Sequence, residues 1–169
     1  MISKKYLLDT NIVIKIWKTC PNLLRDMNRS EKVDFKIPRY IAEELSVKEF
    51  GEFNGNRVLT NRFLELLEHI IDVDIDGLST EYSNKENSEH NYEKSSSIKY
   101  YPKKNIYMIN DNKISKNDYS LIYVCQVNKD YILVTEDKSL LNSAKSIIGP
   151  SRVMNFHEFM EDVNLELDE

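Results

Sequence analysis

The sequence predicts an α/β fold built on a parallel sheet with helices on both faces. Two observations carry this. Apolar runs of strand length alternate along the chain with segments of helical spacing. Two of those runs, ending in Leu7-Leu8 and Leu133-Val134, give out onto the short polar turns Asp9-Thr10-Asn11 and Thr135-Glu136-Asp137. A buried parallel strand that ends at a ligand-facing edge has this appearance. The length of 169 residues fits one domain, 1–169, with a full hydrophobic core.

Lys4-Lys5-Tyr6-Leu7-Leu8 is the first strand. Ile12, Val13, Ile14, Ile16 and Trp17 open a helix with Thr10 or Asn11 near its N-cap. Pro21 starts a second helical piece through Leu23, Leu24 and Met27. Val33, Phe35 and Ile37 alternate with Asp34 and Lys36, a strand that Pro38 ends. Arg39 to Phe50 reads as a helix with Ile41, Ala42, Leu45 and Phe50 on one face. Val58 to Ile71 reads as another, and Ile71 to Asp76 as a short, half-solvated strand.

Residues 78–117 differ in texture, being rich in Ser, Asn, Glu, Lys and Tyr. They read as an insertion or long loop within the domain, carrying a hairpin around Tyr100 to Ile109. A helix follows with Asp118 in its first turn and Leu121, Ile122, Val124, Cys125 and Val127 behind it. Tyr131 to Val134 is a buried strand. Ser139 to Ile147 is a helix closed by Gly149-Pro150, Arg152 to Met154 a short strand, and Asn155 caps a last helix through Val163.

Composition removes several classes of function. Cys20 and Cys125 lie far apart and fit no metal spacing, which excludes a disulfide scaffold and favours a reducing cytosol. The longest apolar stretch, Tyr6 to Trp17, is broken by Asp9, Asn11 and Lys15, too often for a membrane span or a signal peptide. With 23 Lys and Arg against 28 Asp and Glu, the net charge is −5. An anionic substrate must then be recruited by a local patch or by bound cations.

The strand ends gather carboxylates. All strand C-termini of an open parallel sheet face one edge. Asp9 and Asp137 therefore meet one crevice, and Asp118 reaches it if its helix begins there. Glu43 and Glu44 lie one turn into the helix after the Val33–Ile37 strand. Singly, each acid is explained as a helix cap or solvated loop end. Together they repel, unless hard cations neutralise them or some are protonated. All-oxygen donors without His or Cys suit Mg²⁺ or Mn²⁺ rather than zinc. Such a site suits phosphodiester hydrolysis.

These residues resemble the PIN-domain nucleases. Tyr6-Leu7-Leu8-Asp9-Thr10-Asn11 resembles the family's opening strand and turn. Tyr40-Ile41-Ala42-Glu43-Glu44-Leu45 resembles its second motif, Asn117-Asp118-Tyr119-Ser120-Leu121-Ile122 its third, and Val134-Thr135-Glu136-Asp137 its fourth, all in order. The resemblance implies a three-layer α/β/α sandwich around a parallel sheet of about five strands. It implies Mg²⁺- or Mn²⁺-dependent cleavage of RNA, above all as in VapC-type toxins of bacterial toxin–antitoxin pairs. By position, Asp9, Glu44, Asp118 and Asp137 would form the catalytic metal site. Glu44 is chosen over Glu43 because Leu45 follows it. Asn11 would steady the first turn or the substrate, and Thr135 would orient the metal-binding loop. The expected partners are an RNA substrate, an antitoxin protein and a second copy of the chain, with no membrane among them.

The stretch from Lys99 to Lys116, with Tyr100, Tyr101 and Tyr107, reads either as a solvated loop or as a strip that holds phosphates and stacks bases. In the second reading Lys99, Lys103 and Lys104 bind substrate. His69, His90 and His157 have no partner spacing and read as surface or core residues. Cys125 reads as a buried thiol and Trp17 as the edge of the core. Two alternatives share the fold: a structure-selective DNA nuclease, and a module that binds RNA or protein without cutting. A haloacid-dehalogenase-like phosphatase would need a second Asp where Asn11 stands.

Overall fold

The computed structural model describes residues 3–74 and 98–168. Five parallel strands make the central sheet in the order β10-β9-β1-β2-β5. In the middle, β1 (Lys4–Leu8) pairs with β2 (Val33–Pro38) on one side and β9 (Tyr131–Val134) on the other. β5 (Ile70–Ile71) and β10 (Val153–Met154) form the edges. Successive strand residues point to opposite faces. Tyr6, Leu7 and Leu8 are nonetheless all fully buried, so both faces of the sheet are covered. The predicted sandwich is present.

Helices flank the sheet: α1 (Thr10–Thr19), α2 (Leu23–Arg29), α3 (Arg39–Ser46), the single turn α4 (Asn61–Leu64), α5 (Lys116–Val127), α6 (Lys138–Ile148) and α7 (Phe156–Asp168). Each long helix has an identifiable start. Asp9 caps α1 in place of the expected Thr10 or Asn11, Ser115 caps α5 and Asp137 caps α6. Asn155 and Glu158 exchange side-chain bonds with each other's backbone N–H at the head of α7. Arg152 closes the other end of α5. Its Nη2 donates to the carbonyls of Cys125, Asn128 and Tyr131. At the sheet edge away from the strand C-termini, Lys4 pairs with Asp162 and Glu166, and the Tyr6 hydroxyl donates to Asp162.

The expected helices over Arg39–Phe50 and Val58–Ile71 are corrected. α3 stops at Ser46, and an antiparallel hairpin of β3 (Phe50–Phe53) and β4 (Asn56–Leu59) follows. Its turn residues Asn54 and Gly55 both take positive φ, at 50° and 77°, the geometry of a type I′ turn. Phe50, Phe53 and Val58 are exposed, so they belong to no helical core face. After α4 a 3₁₀ turn (Leu67–His69) leads into β5. The expected strand over 71–76 is reduced to Ile70–Ile71, and Ile75 and Asp76 lie outside the described residues.

The first part of the segment read as an insertion, with His90, also lies outside the described residues. Its second part forms three strands. β6 (Ile98–Tyr101), β7 (Ile106–Ile109) and β8 (Asn112–Ser115) form an antiparallel sheet. Tyr107, Ile109 and Ile114 are buried in it, and Tyr107 stacks on Tyr119 of α5 at 4.0 Å between ring centres. Among the described residues no helix is long and apolar enough to cross a membrane.

The β3–β4 hairpin is clamped at its base. The Glu49 carboxylate is buried and accepts from Thr60 Oγ1 at 2.7 Å and from both ends of the Arg62 guanidinium. Arg62 in turn lies 4.6 Å over the Trp17 ring. These hydrogen bonds from Arg62 hold Glu49 below the usual carboxylate range. A depressed folded pKa contributes stability above the ordinary Glu range, and that stability is lost as pH falls through the folded value. Glu49→Gln is expected to cost about 1–3 kcal/mol near neutral pH. The lower end is favoured because half of the Arg62 side chain faces solvent. Thermal denaturation should show the parent's advantage shrinking on acidification. A constant difference from neutral to acid pH would refute the ion-pair account.

Candidate active site

One cleft of about 400 Å³ opens at the C-terminal edge of the parallel sheet, and Asp9, Glu44, Asp118 and Asp137 all line it. Thr10, Asn11, Ile14, Tyr40, Ser115 and Asn117 complete its wall. No His or Cys is among them.

Three of the four carboxylates are placed by capping the head of a helix. Asp9 follows β1 directly and caps α1, with Oδ1 accepting from the Thr10 N–H at 2.7 Å. Its Oδ2 accepts from Asn11 Nδ2 at 3.0 Å and from Thr135 Oγ1 at 2.7 Å. Asp137 caps α6 through the Leu140 N–H at 2.8 Å. Asp118 closes a capping box with Ser115: Ser115 Oγ accepts from the Asp118 N–H, and Asp118 Oδ2 accepts from the Ser115 hydroxyl and N–H. Glu44 is the exception, since it projects from α3 and its Oε2 accepts from Thr10 Oγ1 at 2.8 Å. Glu43 is exposed and does not line the cleft.

Two further residues stand behind this arrangement. Fully buried Thr135 donates to Asp9 and accepts from the Asp137 N–H at 3.1 Å, tying two acids through one hydroxyl. Asn11 donates to Asp9 while its Oδ1 accepts from the Glu136 N–H at 3.3 Å. Lys99, Lys103 and Lys104 do not line the cleft. Lys99 is on β6, and the other two form the 3₁₀ turn Pro102–Lys104. Of the three tyrosines considered for stacking, Tyr107 is buried, Tyr100 is half-buried and only Tyr101 is exposed.

Sequence reasoning passed over Thr10, Tyr40 and Ser115. Tyr40 precedes Glu44 by one helical turn, and Ser115-x-x-Asp118 is a capping-box pattern, so both had a local signal. Thr10 is marked in the sequence only by its place at the helix start and in the opening motif, because its bond to Glu44 spans the fold.

The electrostatics of the cleft are set first by burial and then by neighbouring charges. Burial, and then the Asp118 charge, push Asp9 above the usual carboxylate range against the pull of its three donors. The Tyr40 phenol is also raised, first by burial and further by the charges of Asp9, Asp118 and Glu44. Its hydroxyl donates to the Asn117 carbonyl at 2.9 Å.

Among the described residues, no three acids stand ready-made as a ligand set for one ion. The donor chemistry still fits a hard divalent cation. The cleft offers oxygen donors, four carboxylates with hydroxyl and amide oxygens beside them, and neither imidazole nor thiolate. Glu44 Oε1, Asp118 Oδ1 and Asp137 Oδ2 accept no hydrogen bond among the described residues, which leaves them open for ligation.

No curated protein matches the sequence. PAE2754 from Pyrobaculum aerophilum, known from its crystal structure, superimposes with a TM-score of 0.50 at 11% sequence identity, over 95% of this chain and 90% of that one. At that identity the likeness is one of fold. A family model, the PIN domain, matches residues 6–147, a span that holds the end of β1 from Tyr6, all four cleft acids and the body of α6. The chain therefore belongs to the PIN domain family, whose members are usually nucleases and generally use divalent metals.

Proposed function

We propose that this chain is a divalent-metal-dependent endoribonuclease. The carrying observation is that Asp9, Glu44, Asp118 and Asp137, from distant parts of the sequence, line one cleft at the C-terminal sheet edge. These four would hold Mg²⁺ or Mn²⁺. A bound ion of this kind supplies an activated water and neutralises charge on the phosphodiester. The chain's own residues prepare for it. Three donors fix the Asp9 carboxylate, Thr10 holds Glu44 toward it, and Thr135 sets the loop that carries Asp137. Lys99, Lys103 and Lys104 are assigned to the substrate strand outside the cleft.

RNA as the substrate follows the resemblance read from the sequence motifs. Offering single-stranded RNA and branched or nicked DNA side by side separates this reading from a structure-selective DNA nuclease. The same resemblance extends the proposal to the toxin of a toxin–antitoxin pair. Expression should then arrest growth, and a small protein encoded beside the gene should relieve the arrest. Growth unaffected by the active chain would remove the toxin role and leave the chemistry.

Cleavage should stop in EDTA and return with Mg²⁺ or Mn²⁺; robust metal-free cutting would sink the proposal. Asp9→Asn and Glu44→Gln should abolish cutting, while Glu43→Gln should keep it. Thr135→Val, which removes a support behind the ligands, should lower activity about 10–100-fold.

Metal-free stability gives a second check on Asp9. Its folded pKa is raised, so the folded protein binds that proton more readily and ionised Asp9 costs stability as pH rises through that range. Asp9→Asn should melt at or above the parent at neutral pH in EDTA. The difference should fade in acid, where the parent's carboxylate is also neutral. A large loss of stability at neutral pH would mean that the charged form is needed for folding.

A further inference from the structure

We infer that the outer face of the β6–β7–β8 sheet is a track for single-stranded RNA leading into the acidic cleft. The inference rests on the nuclease reading above and specifies how its substrate is held. Strand register defines the face. Lys99 lies opposite Met108, and Met108 opposite Lys113; Tyr101 lies opposite Ile106, and Ile106 opposite Ser115. Residues directly opposite, and residues two apart on a strand, share a face. The outer face is therefore two adjacent rows, Lys99–Met108–Lys113 and Tyr101–Ile106–Ser115. The alternate residues Tyr107, Ile109 and Ile114 are buried on the inner side.

The face joins the cleft through the chain itself. Ser115 ends the second row, lines the acidic cleft and caps the helix that carries Asp118. Tyr107 stacks on Tyr119 of that helix, which fixes the sheet to the cleft wall. A strand lying across the rows would run on toward the four carboxylates.

The chemistry of the face fits an unpaired polynucleotide. Lys99 and Lys113 flank it, on outer strands about 10 Å apart, and Lys103 and Lys104 follow Tyr101 in the next turn. All four are exposed, and none is paired with a carboxylate among the described residues. The one acid between residues 98 and 117 is Asp111, at the far β7–β8 turn. This concentration of cations occurs in a chain of net charge −5. Half-buried Met108 lies between Lys99 and Lys113, and Tyr101, 47% exposed, stands beside Lys99 on β6 with half-buried Ile106 opposite it. Lysines beside an aromatic surface bind single strands by pairing with phosphates while a base stacks. A duplex keeps its base faces stacked inside and has nothing to offer Tyr101.

The test is fluorescence anisotropy with the full chain in EDTA, so that nothing is cut. The probes are a labelled single-stranded RNA and the same RNA annealed to its complement. The single strand should bind more tightly than the duplex. Lys99→Ser with Lys113→Ser should weaken binding and flatten the slope of log affinity against log salt by about 1.4, or about 0.7 per phosphate contact. Lys48→Ser with Lys129→Ser, the same charge change at exposed sites off this sheet, should leave that slope unchanged. Tyr101→Leu should weaken binding about 5- to 150-fold without altering the slope, and Tyr101→Phe should bind like the parent. Equal binding of duplex and single strand, or parental binding by the Lys99/Lys113 and Tyr101→Leu variants, would overturn the inference. Loss of binding in those variants, together with metal-free cleavage or an active Asp9→Asn, would uphold the track and remove the metal-site reading instead.

Discussion

A carboxylate taken out of water must be held by donors or be neutralised, and Asp9 is placed where both demands meet. It is 8% exposed and follows the central strand of the sheet. Its three donors come from its own helix start and from the end of β9, 126 residues away in sequence. Those bonds decide where β1 stops, where α1 begins, and how the β9 turn is set against both. Thr135 extends the link to the Asp137 N–H, and Asn11 extends it to Glu136. The residual discomfort of the site, an acid raised by burial and by the Asp118 charge, is what a bound cation would relieve.

Capping and ligation turn out to be one geometry rather than two competing explanations. Asp9, Asp118 and Asp137 each satisfy backbone N–H groups at the head of a helix, as an ordinary cap does. Helix heads at the C-terminal edge of a parallel sheet all face the same crevice, and their dipoles favour negative charge there. A cap uses one or two of the roughly four lone-pair positions of a carboxylate. Among the described residues, the remaining oxygens of Asp118 and Asp137 therefore stay open. Glu44 caps nothing and is steered instead by Thr10.

What was legible in the sequence follows from this. Runs such as Tyr6-Leu7-Leu8 and Ile132-Leu133-Val134 read as buried strands because they are short, apolar on both faces and end in polar turns, and the acids in those turns mark the ligand edge. The β3–β4 hairpin was hidden because Phe50 and Val58 are apolar at helix-compatible spacing. Asn54-Gly55 between them was the overlooked signal, since both turn residues need positive φ. β5, at two residues, is too short to show a period. In the site, acids announce themselves by position, whereas Thr10 matters only through a partner 34 residues away.

Charge separation explains how an acidic chain could serve a polyanion. At physiological salt, exposed charges farther apart than about 8 Å are largely screened from one another. The net value of −5 therefore says little about any one surface. Four carboxylates are gathered in the cleft, where they suit cations and would repel a bare phosphate. The exposed lysines of β6, β8 and the intervening 3₁₀ turn, none paired with a carboxylate among the described residues, lie outside it. Tyr107 and Tyr119 join the two regions by a stacked pair between the antiparallel sheet and the helix of Asp118. A strand held by the lysines would meet the acids only at its reacting phosphate, and only where a bound cation inverts the local charge.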